Sequence, residues 1–255
     1  PPLSPFFFIL IRRPPRSSLD RSSSASDVYK RQILEKVEVK QSFYREIEPK
    51  VGPGVILASN TSGIPISQLG AVAENPSRIV GMHWSNPPHF IPVIEGIRGE
   101  KTSDLTVAIT HQVVNDMEMI PVDVDRDVPG FVENRILYAI MREALHLVEE
   151  GVASAEAVDE IVKWGVGYKL AAIPPLQLLD VAGLDIYNSV AGYLNASLST
   201  EQGVSSAITE RVERGDLGIK TGRGLFDYGP DEIPELMKRR MRTLLDVKKA
   251  LLGNM

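Results

Sequence analysis

Cysteine is absent from the 255 residues, which excludes a disulfide framework, a thiol nucleophile and the common cysteine-bearing zinc sites, and fits a cytoplasmic protein. No apolar run, that at residues 6–11 included, approaches the roughly 20 residues that span a bilayer. Positive charge is in deficit: 28 Lys and Arg face 33 Asp and Glu, a net −5. That argues against a nucleic-acid or anionic-membrane surface. The Gly-x-Gly-x-x-Gly turn that seats a pyrophosphate on a helix N-terminus occurs nowhere. Nor does a Gly-x-Ser-x-Gly elbow: Ser62 sits in Asn60-Thr61-Ser62-Gly63-Ile64.

What is present is an ordinary soluble mixture, 43% hydrophobic and 24% charged, at a length suited to one large or two ordinary domains. Residues 1–32 differ from the rest. They hold seven serines and five of the 18 prolines, with six basic residues against two acidic ones, so the remaining 223 residues carry −5 − 4 = −9. The segment lacks helical or strand periodicity and is expected to be a disordered, non-native leader resembling translated adapter sequence. Its basic residues follow the apolar run, the reverse of a signal peptide.

From residue 33 the patterning is regular. Apolar positions at 33, 34, 37, 39, 43, 44 and 47 predict a helix, with some irregularity in the stripe. Residues 55–58, 79–84, 91–97 and 120–124 read as short buried strands, and 105–117 as a helix. Strand and helix alternate to about residue 125. Beyond that all is helix: 134–150, a helix capped by Ser154 and ending at Gly165, then 174–181, 186–198, 205–214 and 234–252. The fold class is therefore α/β then all-α, with domains at 33–127 and 128–255.

Several residues could carry chemistry. His83 ends an apolar strand, and Glu95 follows twelve residues on, across Pro87-Pro88. Adjacent strands joined this way can set the carboxylate against the imidazole, fixing its tautomer; a core histidine beside an unrelated edge glutamate is the plainer alternative. Ser62, just past a strand, is either a hydrogen-bonding group or a turn residue. His89, His111 and His146 show no ligand spacing, and no metal site is read. Lys220-Thr221-Gly222-Arg223-Gly224 lacks the Walker pattern and reads by itself as a loop.

The combination says more. Ser-Asn-Thr-Ser at 59–62, Gly-Met-His at 81–83 with Asn86-Pro87, and Glu95 resemble the 3-hydroxyacyl-CoA dehydrogenase family. So do Pro-Gly-Phe-Val-x-Asn-Arg at 129–135, Glu-Gly-Val-Ala-Ser at 150–154, Leu-Leu-Asp-x-x-Gly-Leu-Asp at 178–185 and Lys-Thr-Gly-x-Gly at 220–224, all in family order. The resemblance implies a partial Rossmann-type NAD-binding domain followed by a 6-phosphogluconate-dehydrogenase-like helical domain that forms a homodimer. It also implies NAD as cofactor and the 3-hydroxyl of an L-3-hydroxyacyl-CoA as substrate. His83 falls on the family's catalytic base and Glu95 on its partner carboxylate. Ser62 and Asn134 match the groups that hold the substrate oxygen. Glu35, Lys40, Ser62, Asn86 and Lys220 match cofactor contacts.

Two departures qualify this. The missing glycine turn suggests that the first mononucleotide half is lacking and that the chain as written is inactive. Trp84-Ser85 also follows His83 where acyl-CoA members usually carry two aromatics, and residues 167–175 read Gly-Tyr-Lys-Leu-Ala-Ala-Ile-Pro-Pro where the family tends to Gly-x-Pro-x-Gly-Pro. A related 3-hydroxy acid, of the carnitine or sugar-acid kind, is thus an alternative substrate. A non-catalytic helical dimerisation module is an alternative role.

Overall fold

The apolar runs of the N-terminal half assemble into one sheet, and alternate residues face its two sides. In a computed structural model, the chain is described over residues 7–11, 28–32 and 34–253, the first two stretches by their backbone. It divides into two units, Pro1–Ile136 and Leu137–Met255. In the first, strands β1 (Phe7–Ile11), β2 (Val28–Gln32), β3 (Ile56–Asn60), β4 (Ile79–Trp84), β5 (Val93–Ile97) and β6 (Ile120–Val124) lie in the order β2-β1-β3-β4-β5-β6. The β3–β4 and β5–β6 pairs are parallel, and the others antiparallel.

Leu57, Ile79 and Ile97 face one side, where they pack with Phe43 and Tyr44 of α1 (Val37–Ile47) and Ile66 and Leu69 of α2 (Ile66–Gly70). Ile56, Ala58, Val80, Met82 and Ile94 face the other, against Val114 of α3 (Asp104–Asp116). Both parallel pairs are joined through a helix, as parallel pairing requires. Ser103 caps α3 by accepting the Thr106 N–H. Gly81 lets β4 and β5 close up. A Cβ there would stand 2.7 Å from Ile97 Cβ and 3.0 Å from Ile66 Cδ1, so a side chain would push apart the strands that carry His83 and Glu95.

Two stretches of the segment expected to be a disordered leader are instead strands. β1 runs antiparallel to β3 and β2 antiparallel to β1. The reason is that β3 otherwise ends the sheet with a row of unpaired N–H and C=O groups, and the β-rich Phe7–Ile11 run supplies a partner for it. The expectation of disorder over residues 12–26 falls outside the described residues.

The second unit is helical. α4 (Glu133–Glu149) leads into it, followed by α5 (Ala155–Ile161), α6 (Tyr168–Ala172), α7 (Pro175–Ala182), α8 (Leu184–Leu194), α9 (Ser206–Arg214) and α10 (Glu232–Leu252). Ser154 caps α5 by accepting the Ala157 N–H. The helix does not stop at Gly165: a π-helical turn, Val162–Gly167, carries it on into α6. Among the described residues of this unit only Val158 and Ser199 are buried, while Leu176, Val181, Leu184, Ile186 and Tyr193 are more than half exposed. The segment around Lys220 is a tight reversal, with Gly218 paired to Arg223; a Cβ on Gly224 would fall 2.7 Å from Gly218 Cα. No helix among the described residues is long and apolar enough to cross a membrane.

Candidate active site

The carboxyl ends of the parallel strands β3 and β4 are where open α/β sheets bind ligands. β4 pairs with β5 in a register that sets His83 directly opposite Glu95. Odd-numbered residues of both strands face α1 and α2, so the two side chains emerge together on that side. His83 Nδ1 and Glu95 Oε2 are 2.7 Å apart, and both residues are buried. This fixes which nitrogen is committed and leaves the other ring nitrogen unengaged among the described residues.

Glu95 is also tied to the start of α4. Its Oε1 accepts the backbone N–H groups of Val132 and Glu133, each at 3.1 Å, two of the donors that a helix N-terminus leaves free. Burial by itself pushes this carboxyl up. The His83 hydrogen bond, the Glu133 N–H, the imidazole's charge and the Val132 N–H together outweigh it, and hold the group below the usual carboxylate range. Phe131, buried and at φ +50°, turns the chain into α4, with its ring centroid 5.7 Å from that of His83. A non-glycine residue at this φ stores about 1–3 kcal/mol.

The loop after β3 joins the same framework. Glu35 Oε1 accepts the Ser62 N–H at 3.0 Å and the Thr61 hydroxyl. Glu35 Oε2 lies 2.9 Å from Lys40 Nζ, and Lys40 is fully buried. Burial lowers the Lys40 pKa, against the hydrogen bond and charge of Glu35, which raise it. Asn134 Nδ2 donates to the Ser62 carbonyl at 2.7 Å. One turn of α4 thus holds both Glu95 and Ser62, and it brings together four of the residues singled out in the sequence: Ser62, His83, Glu95 and Asn134. Glu35 and Lys40 pair with each other and join through Ser62. Asn86 is exposed three residues past His83, and Lys220 is exposed in the second unit.

Three residues of the cluster were not among the site residues named from the sequence. Thr61, wholly buried, orients Glu35. Ser85 donates to Glu133 Oε1 at 2.6 Å. Glu133 itself stands close to the pair, with side-chain atoms of His83, Glu95 and Glu133 all within 4.8 Å of one another. The one signal for Glu133 was an acidic residue in the first turn of a helix, which the helix dipole already accounts for. Its Oε2 is shielded and has no partner among the described residues.

A buried imidazole held by a carboxylate, with a polar loop beside it, thus lies at the carboxyl ends of the strands of a Rossmann-type domain. Residues 13–128 match the 3-hydroxyacyl-CoA dehydrogenase NAD binding domain and residues 130–228 the C-terminal domain of the same enzymes. The chain belongs to the 3-hydroxyacyl-CoA dehydrogenase family. The match begins inside the segment set apart on composition. The chain is 48% identical over 230 residues to the 5-formyl-3-hydroxy-2-methylpyridine 4-carboxylate 5-dehydrogenase of Mesorhizobium japonicum, covering 90% of this chain and 74% of that one. It is 36% identical over 204 residues to a probable 3-hydroxybutyryl-CoA dehydrogenase of Bacillus subtilis, covering 80% and 70%. Among solved structures, the 5-formyl-3-hydroxy-2-methylpyridine 4-carboxylic acid 5-dehydrogenase, described as an NAD+ dependent dismutase, superposes with a TM-score of 0.83 at 49% identity, covering 87% of this chain and 72% of that one.

NAD is the family's cofactor, and the donor set fits one end of it. The fit is at the loop after β3, where the Glu35 carboxylate is held by Lys40 and the Ser62 N–H. No glycine turn among the 255 residues suits the pyrophosphate.

Proposed function

We propose that this chain carries the proton-transfer half of an NAD-dependent dehydrogenase that interconverts a carbinol and a carbonyl. The observation that carries this reading is the buried His83–Glu95 pair anchored on the first turn of α4. His83 takes the hydroxyl proton on its uncommitted nitrogen, and Glu95 stabilises the imidazolium that results. Ser62 holds the substrate oxygen. Asn134 acts through the Ser62 carbonyl and is a positioning residue. The nicotinamide ring, when bound, supplies the hydride acceptor. Glu35, with Lys40 behind it, Asn86 and Lys220 are assigned to the cofactor side.

The substrate assigned is a small formyl- or hydroxymethyl-bearing ring carboxylate, of the kind named for the relative that is 48% identical. Ser85 after Trp84 supports this, since it makes polar a position where acyl-CoA members usually carry an aromatic. An L-3-hydroxyacyl-CoA is the second reading, favoured by the family match and by the relatives named 3-hydroxybutyryl-CoA dehydrogenase.

For lack of a pyrophosphate cradle, the chain is proposed to be a fragment that does not hold the cofactor. NADH fluorescence titrated with the 255-residue protein is expected to show no saturable change. Saturation would overturn the fragment reading.

A homodimer is proposed as well. Helices with so little buried surface of their own must lay their apolar residues against something, and a second copy covers the α7 and α8 residues Leu176, Val181, Leu184 and Ile186. Analytical ultracentrifugation is expected to give the mass of two chains; a monomer at micromolar concentration would exclude this.

A further inference from the structure

We propose that Glu133, aimed by Ser85, is a positioning residue that acts through His83: its carboxylate sets a second negative charge beside the imidazole, so that the imidazolium formed in the reaction is balanced by two carboxylates. The inference rests on the reading of His83 as the base and adds the group that sets how readily that base takes a proton.

A ring nitrogen of His83 and carboxylate oxygens of Glu95 and Glu133 all lie within 4.8 Å of one another. Glu95 meets the ring at 2.7 Å, and Glu133 stands just beyond it. Ser85, two residues past His83 and buried, donates its hydroxyl to Glu133 Oε1 at 2.6 Å. Glu133 also gives its backbone N–H to Glu95 Oε1 at 3.1 Å. The segment that carries the base therefore fixes the second carboxylate, and the residue that bears the second steadies the first. The α4 dipole accounts for an acidic residue in the first turn, but a side chain turned to solvent would satisfy it equally. Glu133 Oε2 is instead shielded, with no donor among the described residues. A carboxylate held that way costs stability unless a positive charge comes near it, and the His83 imidazolium is that charge. No ligand has to reach this oxygen. The effect is coulombic, and in a buried site it is screened less than in water.

The other charged groups on the surrounding elements do not offer this. Glu35, ahead of α1, and Lys40, on α1, neutralise each other at 2.9 Å. α2 carries no charged residue. His89, in the loop after β4, and Arg135, on α4, are exposed. Phe131 packs against the ring without charge, its centroid 5.7 Å away.

The charge matters at one step. The carbinol's hydroxyl proton passes to His83, the C–H hydrogen leaves with its electron pair to the oxidised nicotinamide, and the O–H bonding pair closes the carbonyl. With Glu95 alone, His83 would end that step in a neutral pair. With Glu133 a negative charge remains beside the cation, which favours proton uptake.

The test follows ring protonation in the 255-residue chain and needs no turnover. With carbon-13 histidine, the rings of His83, His89, His111 and His146 are followed by NMR against pH, the His83 signal being the one lost in His83→Gln. Glu133→Gln keeps the shape, the backbone N–H on Glu95 and an acceptor for Ser85. In it the pH midpoint of the His83 signal is expected to fall by about one unit or more relative to the wild type. Glu133→Asp, which keeps the charge, should recover part of that fall. Ser85→Ala, which frees the carboxylate, should lower the midpoint by a smaller amount. The midpoints of the other histidines should move by less than about 0.2 unit. A His83 midpoint that falls by less than about 0.3 unit in Glu133→Gln would overturn the inference and leave the base reading standing. Equal movement of all the histidines, or a fall in Glu133→Asp as large as in Glu133→Gln, would do the same. Were Glu133→Gln to unfold, Ser85→Ala decides in its place, an unmoved His83 midpoint overturning the inference. A His83 signal that does not titrate in the wild type would overturn the base reading as well.

Discussion

Replacing His83 with glutamine is expected to lower kcat about 10²–10⁴-fold with little change in KM. The host is a version of the protein in which a strand and a Gly-x-Gly-x-x-Gly turn are joined ahead of residue 34, so that the cofactor is held. Glutamine preserves much of the volume and can still donate to Glu95 from its amide. The packing around Phe131 and the hold on α4 should therefore survive, and melting temperature should barely move. What glutamine cannot do is accept a proton as the C–H bond breaks. The split between kcat and KM distinguishes this from a binding role, since loss of a ground-state contact would raise KM and spare kcat. NADH absorbance with a formylpyridine carboxylate, and in parallel with acetoacetyl-CoA, gives the measurement and ranks the two substrate readings. A variant as active as the wild type on both would remove His83 from the mechanism.

The pairing on which this rests was legible because strand pairing is local chemistry. Residues 79–82 form an apolar run ahead of His83 and Trp84, and β4 occupies the interval Ile79–Trp84. A prolyl turn then returns the chain antiparallel, which puts His83 opposite Glu95. Other features were less accessible. Apolar periodicity put Ile33 and Leu34 on the first helix, yet α1 begins at Val37 and Leu34 is 65% exposed; residues 34–36 instead bring Glu35 to the loop after β3. Gly165 looked like a helix stop, but a π-helical turn absorbs it with helical backbone on both sides. α2, five residues long, is too short to show a period. Glu133 was hidden for another reason. Its neighbours in sequence say only that a helix starts there, and its position beside His83 follows from Ser85, 48 residues away in the chain. The cofactor-side roles proposed for Glu35 and Lys40 come through family resemblance alone, and their ion pair was hidden because side chains five apart on a helix do not meet, whereas Glu35 lies ahead of α1 and folds back to Lys40.

Removing the Glu95 carboxylate should be the most destabilising single change near the site. Glu95→Ala leaves His83 Nδ1 buried without an acceptor and uncaps the Val132 and Glu133 N–H groups at the start of α4. Breaking a buried, hydrogen-bonded pair in this way costs about 3–5 kcal/mol, a large share of the margin that keeps a domain folded. Urea unfolding followed by Trp84 fluorescence, in a Trp164→Phe background so that the first unit alone is reported, measures the loss. Its pH dependence identifies the source. The Glu95 carboxyl is held below the usual carboxylate range in the folded chain, so the folded state binds its proton less readily than the unfolded one. Its stabilisation is then fully present above the unfolded carboxylate value, shrinks as pH falls through that value toward the lower folded one, and is gone below both. The gap between wild type and Glu95→Ala should accordingly be widest near neutral pH and narrow on acidification through the carboxylate range. A gap that stays constant across that range would assign the loss to cavity and packing rather than to the charge that Glu95 presents to His83 and α4.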